Sequence, residues 1–67
     1  MDFKLTGEYI ELIKLLKKLQ IAESGGQAKM MVEEGLVIVN GETEHRKRAK
    51  LHHGDTILID NQSITIV

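Results

Sequence analysis

The fold is decided by the stretch Gly35-Leu36-Val37-Ile38-Val39-Asn40-Gly41, because the hydrophobic period changes there from helical to extended. Gly35 occupies the position after a helix end at which the backbone commonly adopts the left-handed conformation. The apolar run Leu36–Val39, whose last three residues are β-branched, predicts a strand, and Asn40-Gly41 is the dipeptide most typical of a type I′ hairpin. A return strand is expected at residues 42–44. Helices are therefore predicted before this stretch and strands after it.

An amphipathic helix is predicted from Tyr9 to Leu19, where the apolar residues recur with helical spacing. Glu11 and the lysines of this stretch take the opposite face. Thr6 is the expected N-cap, and Glu8 would lie in the first turn, where a negative charge is favourable. Residues 2–5 predict a short edge strand before this helix.

A second helix is predicted from Gly25 to Glu34. Ser24 and Gln27 have the spacing of a capping box, in which each side chain satisfies a backbone donor of the other residue. Each glycine in a helix interior costs roughly 1 kcal/mol relative to Ala. A property other than helix stability therefore favours Gly25 and Gly26 at this helix start. The residues expected to be buried are Ala28, Met31 and Val32.

Two further strands are predicted after the hairpin, at Thr56–Ile59 and Ser63–Val67, with turns at residues 53–55 and 60–62. No proline, linker-like run or internal repeat divides the chain. We therefore expect a single α+β domain over residues 1–67, in which two N-terminal helices pack on a small, mostly antiparallel β-sheet.

The composition narrows the possible classes of function. The 67 residues contain no Cys, which excludes disulfides, thiolate zinc sites and cysteine catalysis. So short a chain leaves little room for the enclosed pocket of an enzyme, so we expect no catalytic residues, no cofactor and no small-molecule substrate. No apolar run is long enough to span a bilayer, and the N-terminus lacks the apolar stretch of a signal peptide. A cytoplasmic location is therefore expected.

The formal net charge of −1 conceals a local concentration of positive charge. Residues 1–44 hold five Lys against eight Asp and Glu, whereas residues 45–67 hold four Lys and Arg against two Asp. We call residues 45–53, His45-Arg46-Lys47-Arg48-Ala49-Lys50-Leu51-His52-His53, the basic segment. Nucleic-acid phosphates would relieve the repulsion among its cations and release counterions. A solvated loop is the alternative, and a membrane surface is disfavoured because no apolar insertion face accompanies the charges.

The predicted first turn of the second helix is another candidate anion site. Its free N–H groups and the positive end of the helix dipole favour a phosphate. Gly25 and Gly26 would allow a close approach, and Lys29 lies one turn further along. The alternative is a purely structural turn, with Ser24 as a cap and Lys29 as a solvated surface residue.

Three histidines, His45, His52 and His53, lie at the two ends of the basic segment. Neighbouring residues on a strand point to opposite faces, and no spacing such as HExxH is present, so no metal site is predicted. Partial protonation around pH 6–7 would instead add to the positive field. These histidines are therefore candidates for additional contacts to a polyanion.

Taken in order, the motifs are a helix that begins at Ser and ends at Gly, a strand followed by Val-Asn-Gly, a basic run, and Gly-Asp before an apolar strand. The residues that carry this pattern are Ser24, Ala28, Gly35, Val37, Val39, Asn40, Gly41, Gly54, Asp55 and Ile57. The pattern resembles the S4 RNA-binding domain, and with the first helix the resemblance covers nearly the whole chain. Ser24–Lys29 and Arg46–Leu51 are most similar to the small stand-alone bacterial members, the YaaA-like or YbcJ-like proteins. Many members carry Arg directly after the Ser, where this chain has Gly25.

The resemblance implies that the two helices form an αL motif and that the chain is a non-catalytic module for structured RNA. Ribosomal or transfer RNA is the expected partner, with association with the ribosome as one setting. The residues expected to contact RNA are Ser24, Gly25, Gly26, Gln27, Lys29, Arg46, Lys47, Arg48 and Lys50, with His45, His52 and His53 as additional contacts. Because no aromatic residue lies in the basic segment, recognition of backbone shape and charge is favoured over base stacking.

A second hypothesis from a different class is a small protein-interaction adaptor that docks an acidic partner through the same basic segment. A protein interface usually includes an exposed aromatic or apolar hot spot. The sequence shows no clear candidate for one, which favours RNA. DNA in place of RNA stays open on charge alone.

Overall fold

The fold consists of two short helices and two β-sheets in a computed structural model that describes residues 1–67. The helices are α1 (Leu12–Lys18) and α2 (Gly25–Glu33). The strands are β1 (Asp2–Phe3), β2 (Ile10–Glu11), β3 (Ile38–Val39), β4 (Glu42–Thr43), β5 (Lys50–Leu51), β6 (Thr56–Ile59) and β7 (Gln62–Ile66). The predicted α+β class and the mostly antiparallel sheet are confirmed.

The larger sheet has the strand order β1-β7-β6-β3-β4, and only the β1–β7 pair is parallel. The hairpin predicted at Asn40-Gly41 joins β3 to β4, and its two residues have φ angles of 51° and 86°. A second hairpin joins β6 to β7 through Asp60 and Asn61, with φ angles of 54° and 62°. Positive φ at both central residues is the property that makes a type I′ turn match the strand twist.

The core is aliphatic and contains no buried polar or charged residue. In β6 the side chains alternate, so Ile57 and Ile59 are buried while Thr56 and Leu58 are exposed. The largest completely buried side chains are Leu12, Leu15, Leu16, Val32, Val37, Leu51, Ile57, Ile59, Ile64 and Ile66. Both helices, both hairpins and the basic segment therefore contribute to a single core. Neither helix has the length and apolar character needed to cross a membrane.

The caps predicted for α2 are present at both ends. Ser24 Oγ accepts a hydrogen bond from Gln27 N at 3.1 Å. The side chain of Gln27 accepts from Glu23 N, one residue earlier than a capping box requires. Gly35, with a φ of 76°, donates to Val32 O, and the next N–H donates to Met31 O, which is a Schellman ending.

The first helix begins later than predicted. It starts at Leu12 instead of Tyr9, and Glu11, with an extended backbone, occupies the N-cap position without a side-chain cap bond. Thr6 is therefore not the N-cap, and Glu8 does not lie in the first turn of the helix, so both predictions are wrong. The physical reason is tertiary: β2 pairs with β5, and Leu12 N donates to Ala49 O at 2.9 Å. The basic segment thus supplies the acceptor for the first backbone N–H of α1.

Other element boundaries differ from the predictions by a few residues. The first strand covers 2–3 instead of 2–5, the strand predicted at Leu36–Val39 is shortened to Ile38–Val39, and the last strand begins at Gln62. Met31 is only partly buried. These differences arise at element ends, where backbone pairing with neighbours sets the boundary.

Candidate nucleic-acid interface

The basic segment is fixed to the core by alternate residues. Ala49 and Leu51 are buried, while the cationic residues between and before them are exposed. Ala49 N donates to Arg46 O at 3.2 Å, which closes a turn, and β5 then pairs with β2. The exposed cations are Arg46, Lys47, Arg48 and Lys50. The local structure therefore holds a run of positive side chains at the surface.

Arg46 is held by Glu44. Its Nε and a terminal guanidinium nitrogen each lie 3.0 Å from a carboxylate oxygen of Glu44, and its backbone N–H donates to the same carboxylate. The side-chain hydrogen bond from Arg46 lowers the pKa of Glu44 below its ordinary value, against the effect of burial. Arg46 is nevertheless 80% exposed, so its guanidinium is presented to solvent in a fixed orientation.

The start of the basic segment meets the C-terminal end of α2. Lys47 Nζ lies 3.6 Å from Glu33 Oε1, and a Cβ at Gly35 would lie 3.8 Å from His45 Cε1. These contacts place His45 and Lys47 at the last turn of the helix. The cation of Lys47 is partly neutralised there by an acidic neighbour, as that of Arg46 is by Glu44.

Arg48 and Lys50 have no acidic partner within 4.0 Å. Lys50 Nζ instead lies 4.8 Å from the centre of the Tyr9 ring, in a cation–π contact. A shallow depression of about 540 Å³ lies at this surface, and its lining residues are Arg46, Arg48, Ala49, Lys50 and His52. The depression carries positive charge without a single acidic lining residue.

Tyr9 is a surface residue that the sequence analysis assigned to the apolar face of a helix. It is 44% exposed, and its ring centroid lies 6.3 Å from that of His52. The chain reverses just before it at Gly7, whose φ is 98°. An aromatic ring therefore adjoins the basic segment.

The histidines at the end of the basic segment make separate contacts. His52 N donates to Asp55 Oδ2 at 2.7 Å, and the His53 ring nitrogen Nε2 lies 3.1 Å from Gly7 O. The structure contains no group of three or more potential ligands arranged to hold a metal ion. His45, His52 and His53 are all exposed at the basic surface or beside it.

The first turn of α2, the other predicted anion site, lies apart from the basic segment. The N–H groups of Gly25 and Gly26 donate to no group of the protein, and Lys29 is exposed without an ion-pair partner. The nine residues of α2 separate this turn from the Lys47 contact by about 12 Å along the helix axis. Gly25 and Gly26 therefore lie at the opposite end of α2 from the Lys47 contact, and Lys29 lies at the middle of the helix.

Asn40 and Asp55 connect the two turns that flank the basic segment. Asn40 Nδ2 donates to Asp55 Oδ1 at 3.0 Å, and Asn40 Oδ1 accepts from Thr56 N at 2.9 Å. Burial raises the pKa of the Asp55 carboxyl, but the hydrogen bonds from His52 N and Asn40 outweigh it, so the pKa lies below its ordinary value. This network joins the β3–β4 turn to the C-terminal end of the basic segment.

Comparison with known proteins identifies close relatives. The family model described as S4 domain matches residues 3–67. YbcJ of Escherichia coli (strain K12) is 42% identical over 59 residues, covering 88% of this chain and 84% of that protein. The Bacillus subtilis (strain 168) protein named probable ribosome maturation protein RlbA is 40% identical over 53 residues, covering 79% of this chain and 75% of that protein. An uncharacterized RNA pseudouridine synthase of Aquifex aeolicus (strain VF5) is 36% identical over 88% of this chain but only 19% of that protein.

The similarity extends to a solved structure. The solution structure of YbcJ from E. coli matches with a TM-score of 0.74 and 40% sequence identity, covering 98% of this chain and 85% of that one. That structure is described as revealing an αL motif involved in RNA binding.

Proposed function

The chain belongs to the S4 domain family, and from that membership we propose that it is a non-catalytic module that binds structured RNA through its phosphates. The observation that carries the proposal is the basic segment, whose four cations are all exposed while its apolar residues are buried in the core. The αL motif of YbcJ, a relative over nearly this whole chain, is described as involved in RNA binding.

The basic segment supplies the main phosphate contacts in this proposal. Arg48 is the residue best placed to exchange solvent for phosphate, because it has no acidic partner. Arg46 presents a guanidinium whose orientation is fixed by Glu44, and its remaining donors suit a phosphate oxygen. Lys47 and Lys50 add point charges on either side. His45, His52 and His53 would strengthen the field when protonated.

The first turn of α2 is a secondary contact in this proposal. Gly25 and Gly26 offer two free N–H donors and no side chain, Ser24 and Gln27 fix the turn, and Lys29 follows on the next turn. The separation of about 12 Å from the basic segment exceeds the phosphate spacing along one strand. The two ends of α2 would therefore contact different phosphates of a folded RNA.

A module without catalysis is proposed because the match to the pseudouridine synthase covers only 19% of that protein. The relatives of similar size are YbcJ and RlbA, of which the matched stretch covers 84% and 75%. We propose that one domain over residues 1–67 performs the binding and that no cofactor takes part.

Ribosomal RNA is the first partner to test, because RlbA is named as a probable ribosome maturation protein. Transfer RNA is the second candidate. We propose that the protein acts in the cytoplasm, because ribosomal and transfer RNA are found there in bacteria. Recognition through backbone shape and charge agrees with a basic segment that contains no aromatic residue.

An NMR amide titration with a structured ribosomal RNA fragment, at low and moderate salt, tests the proposal. We expect shifts at residues 45–53, smaller shifts at Gly25, Gly26 and Lys29, and a weakening of both as salt is raised. A variant with Arg46, Lys47, Arg48 and Lys50 replaced by Gln should lose these shifts, whereas the control Lys17→Gln should keep them. An unperturbed spectrum with several RNAs would contradict the proposal and favour an acidic protein partner.

A further inference from the structure

A second concave surface lies on the other side of Tyr9 from the basic segment. It has a volume of about 500 Å³ and combines apolar with cationic lining residues. Phe3, Tyr9 and Ile10 form its apolar wall, and Lys4, Lys14 and Lys18 lie around that wall. No Asp or Glu lines this surface, so its charge complements a polyanion. We call it the lysine-rimmed depression.

Three separate elements build this depression. Phe3 comes from β1, Ile10 from β2, and Lys14 and Lys18 lie one turn apart on the same side of α1. Phe3 and Ile10 are partly buried against the core, which gives the apolar wall a rigid support. Only Lys14 approaches an acidic side chain, at 3.9 Å from Glu11, in an exposed pair of little strength.

Tyr9 joins the lysine-rimmed depression to the basic segment. Its exposed ring lines the depression, and it also contacts Lys50 and lies near His52. The two cationic surfaces are therefore continuous through one aromatic side chain. An RNA bound along the basic segment would reach the depression without leaving the protein surface.

We propose that the lysine-rimmed depression binds an unpaired nucleotide adjoining the structured part of the RNA. The base packs on the Tyr9 ring and against the wall formed by Phe3 and Ile10, and the flanking phosphates are held by Lys4, Lys14 and Lys18. A flat base with polar edges suits an apolar wall surrounded by cations, and base–aromatic stacking tolerates any sequence. This assignment rests on the proposed RNA-binding function and adds a requirement for a single-stranded element.

This assignment differs from recognition by backbone charge alone. In that case the affinity would not depend on whether the RNA contains an unpaired base. It predicts that the RNA bound most tightly is a helix with an unpaired extension or bulge. The extension should strengthen binding by about tenfold, which corresponds to one stacked base. A blunt helix would use only the basic segment and the first turn of α2.

The test compares two RNA hairpins with the same stem, one blunt and one with three unpaired nucleotides, by fluorescence anisotropy. The wild type should bind the extended hairpin about tenfold more tightly. Tyr9→Leu and the double variant Lys14→Gln, Lys18→Gln should lose this preference while keeping their affinity for the blunt hairpin. Tyr9→Phe should keep the preference, because it retains the ring. Lys17→Gln on the same helix controls for the loss of one positive charge outside the depression.

A direct probe of the ring is available because Tyr9 is the only tyrosine. The protein labelled with 3-fluorotyrosine gives one fluorine NMR signal. We expect this signal to shift with the extended hairpin and to move much less with the blunt one. This measurement does not depend on the stability of any variant.

The outcomes distinguish this inference from the function on which it rests. Equal wild-type affinity for the two hairpins, with binding that still requires the basic segment, would overturn the nucleotide site and leave the proposed function intact. Failure to bind either hairpin would overturn both. Binding of an acidic peptide at Tyr9 in preference to either RNA would also overturn the nucleotide site and would identify a protein-docking surface.

Discussion

The basic segment and the two turns that flank it belong to the same sequence motif but do different physical work. Asn40 and Asp55, one in each turn, are joined by a hydrogen bond of 3.0 Å and also bind backbone N–H groups of β6 and of the basic segment. Between the turns, Arg48 and Lys50 have no acidic partner and extend into solvent. One region uses its polar groups to hold the fold, and the other leaves them available.

The residues that this chain shares with an RNA-binding family are therefore of two kinds: some build the surface, and others bind through it. Substitutions in the flanking turns should change the free energy of unfolding and leave the affinity of the folded protein nearly unchanged. Substitutions in the basic segment should do the reverse. Each prediction below tests that separation.

The largest effect is expected when Arg46, Lys47, Arg48 and Lys50 are all replaced by Gln. RNA affinity at low salt should fall by at least about 50-fold, because about four phosphate contacts are lost. The melting temperature should fall only slightly, because the ion pairs of Arg46 with Glu44 and of Lys47 with Glu33 lie at the surface and contribute little. Anisotropy and thermal unfolding measured on the same preparation check both parts. A large loss of stability would show that the cations also support the fold.

The next largest effect is expected for Asp55→Ala. Its carboxylate accepts from Asn40 Nδ2 and His52 N, so its loss should lower the free energy of unfolding by about 2 kcal/mol. Urea unfolding measures this change, with the exposed Asp2→Ala as the matched control. RNA affinity measured well below the unfolding midpoint should change by less than about threefold. A much larger loss of affinity would mean that the turn network orients the cations for binding.

Parts of this fold that depend on local sequence motifs can be predicted without a structure. Asn40-Gly41, Gly35 and Ser24 act through local backbone geometry, and each was found in its predicted role. The predicted start of α1 at Tyr9 was wrong because β2 pairs with residues about forty positions away along the chain. No local sequence pattern indicates that pairing. The end of α1 uses Gln20 at a φ of 60°, where a glycine would have marked the boundary.

The candidate site was predictable in part for the same reason. A concentration of charge is visible in composition, so the basic segment could be identified from the sequence. Its contact with the C-terminal end of α2, through Lys47 and Glu33, depends on the packing of distant elements. The position of Tyr9 beside Lys50 follows from the same β2–β5 pairing. Tertiary pairing therefore determines which cations share a surface.

A smaller effect is expected from acid. The folded state holds the pKa of Asp55 below its ordinary value of 3.8, so the unfolded chain takes up the proton first. The stability that Asp55 contributes is complete above about pH 5 and is lost as the pH falls through and below 4. Unfolding measured across this range should show a steeper acid loss for the wild type than for Asp55→Ala. Parallel curves would contradict the assigned role of the carboxylate.

The smallest effects on stability and binding taken together are expected from Gly25→Ala and Gly26→Ala. A Cβ at Gly25 meets nothing within 4 Å, and one at Gly26 meets only Ser24 Oγ at 3.8 Å, so both fit. Each substitution should raise the free energy of unfolding by about 0.5–1 kcal/mol. RNA affinity should fall by no more than about threefold, because this turn is a secondary contact. If RNA affinity fell as far as in the variant with four Gln substitutions, the first turn of α2 would contribute as much to binding as the basic segment.

The salt dependence of binding to a blunt RNA hairpin tests most directly whether the basic segment binds RNA phosphates. If the basic segment contacts about four phosphates of this duplex, the logarithm of the association constant should fall against the logarithm of salt concentration with a slope of about −3.6. The variant lacking Arg46, Lys47, Arg48 and Lys50 should flatten this slope to between about −1 and 0. A wild-type slope near zero, or one unchanged in the variant, would contradict phosphate binding by the basic segment.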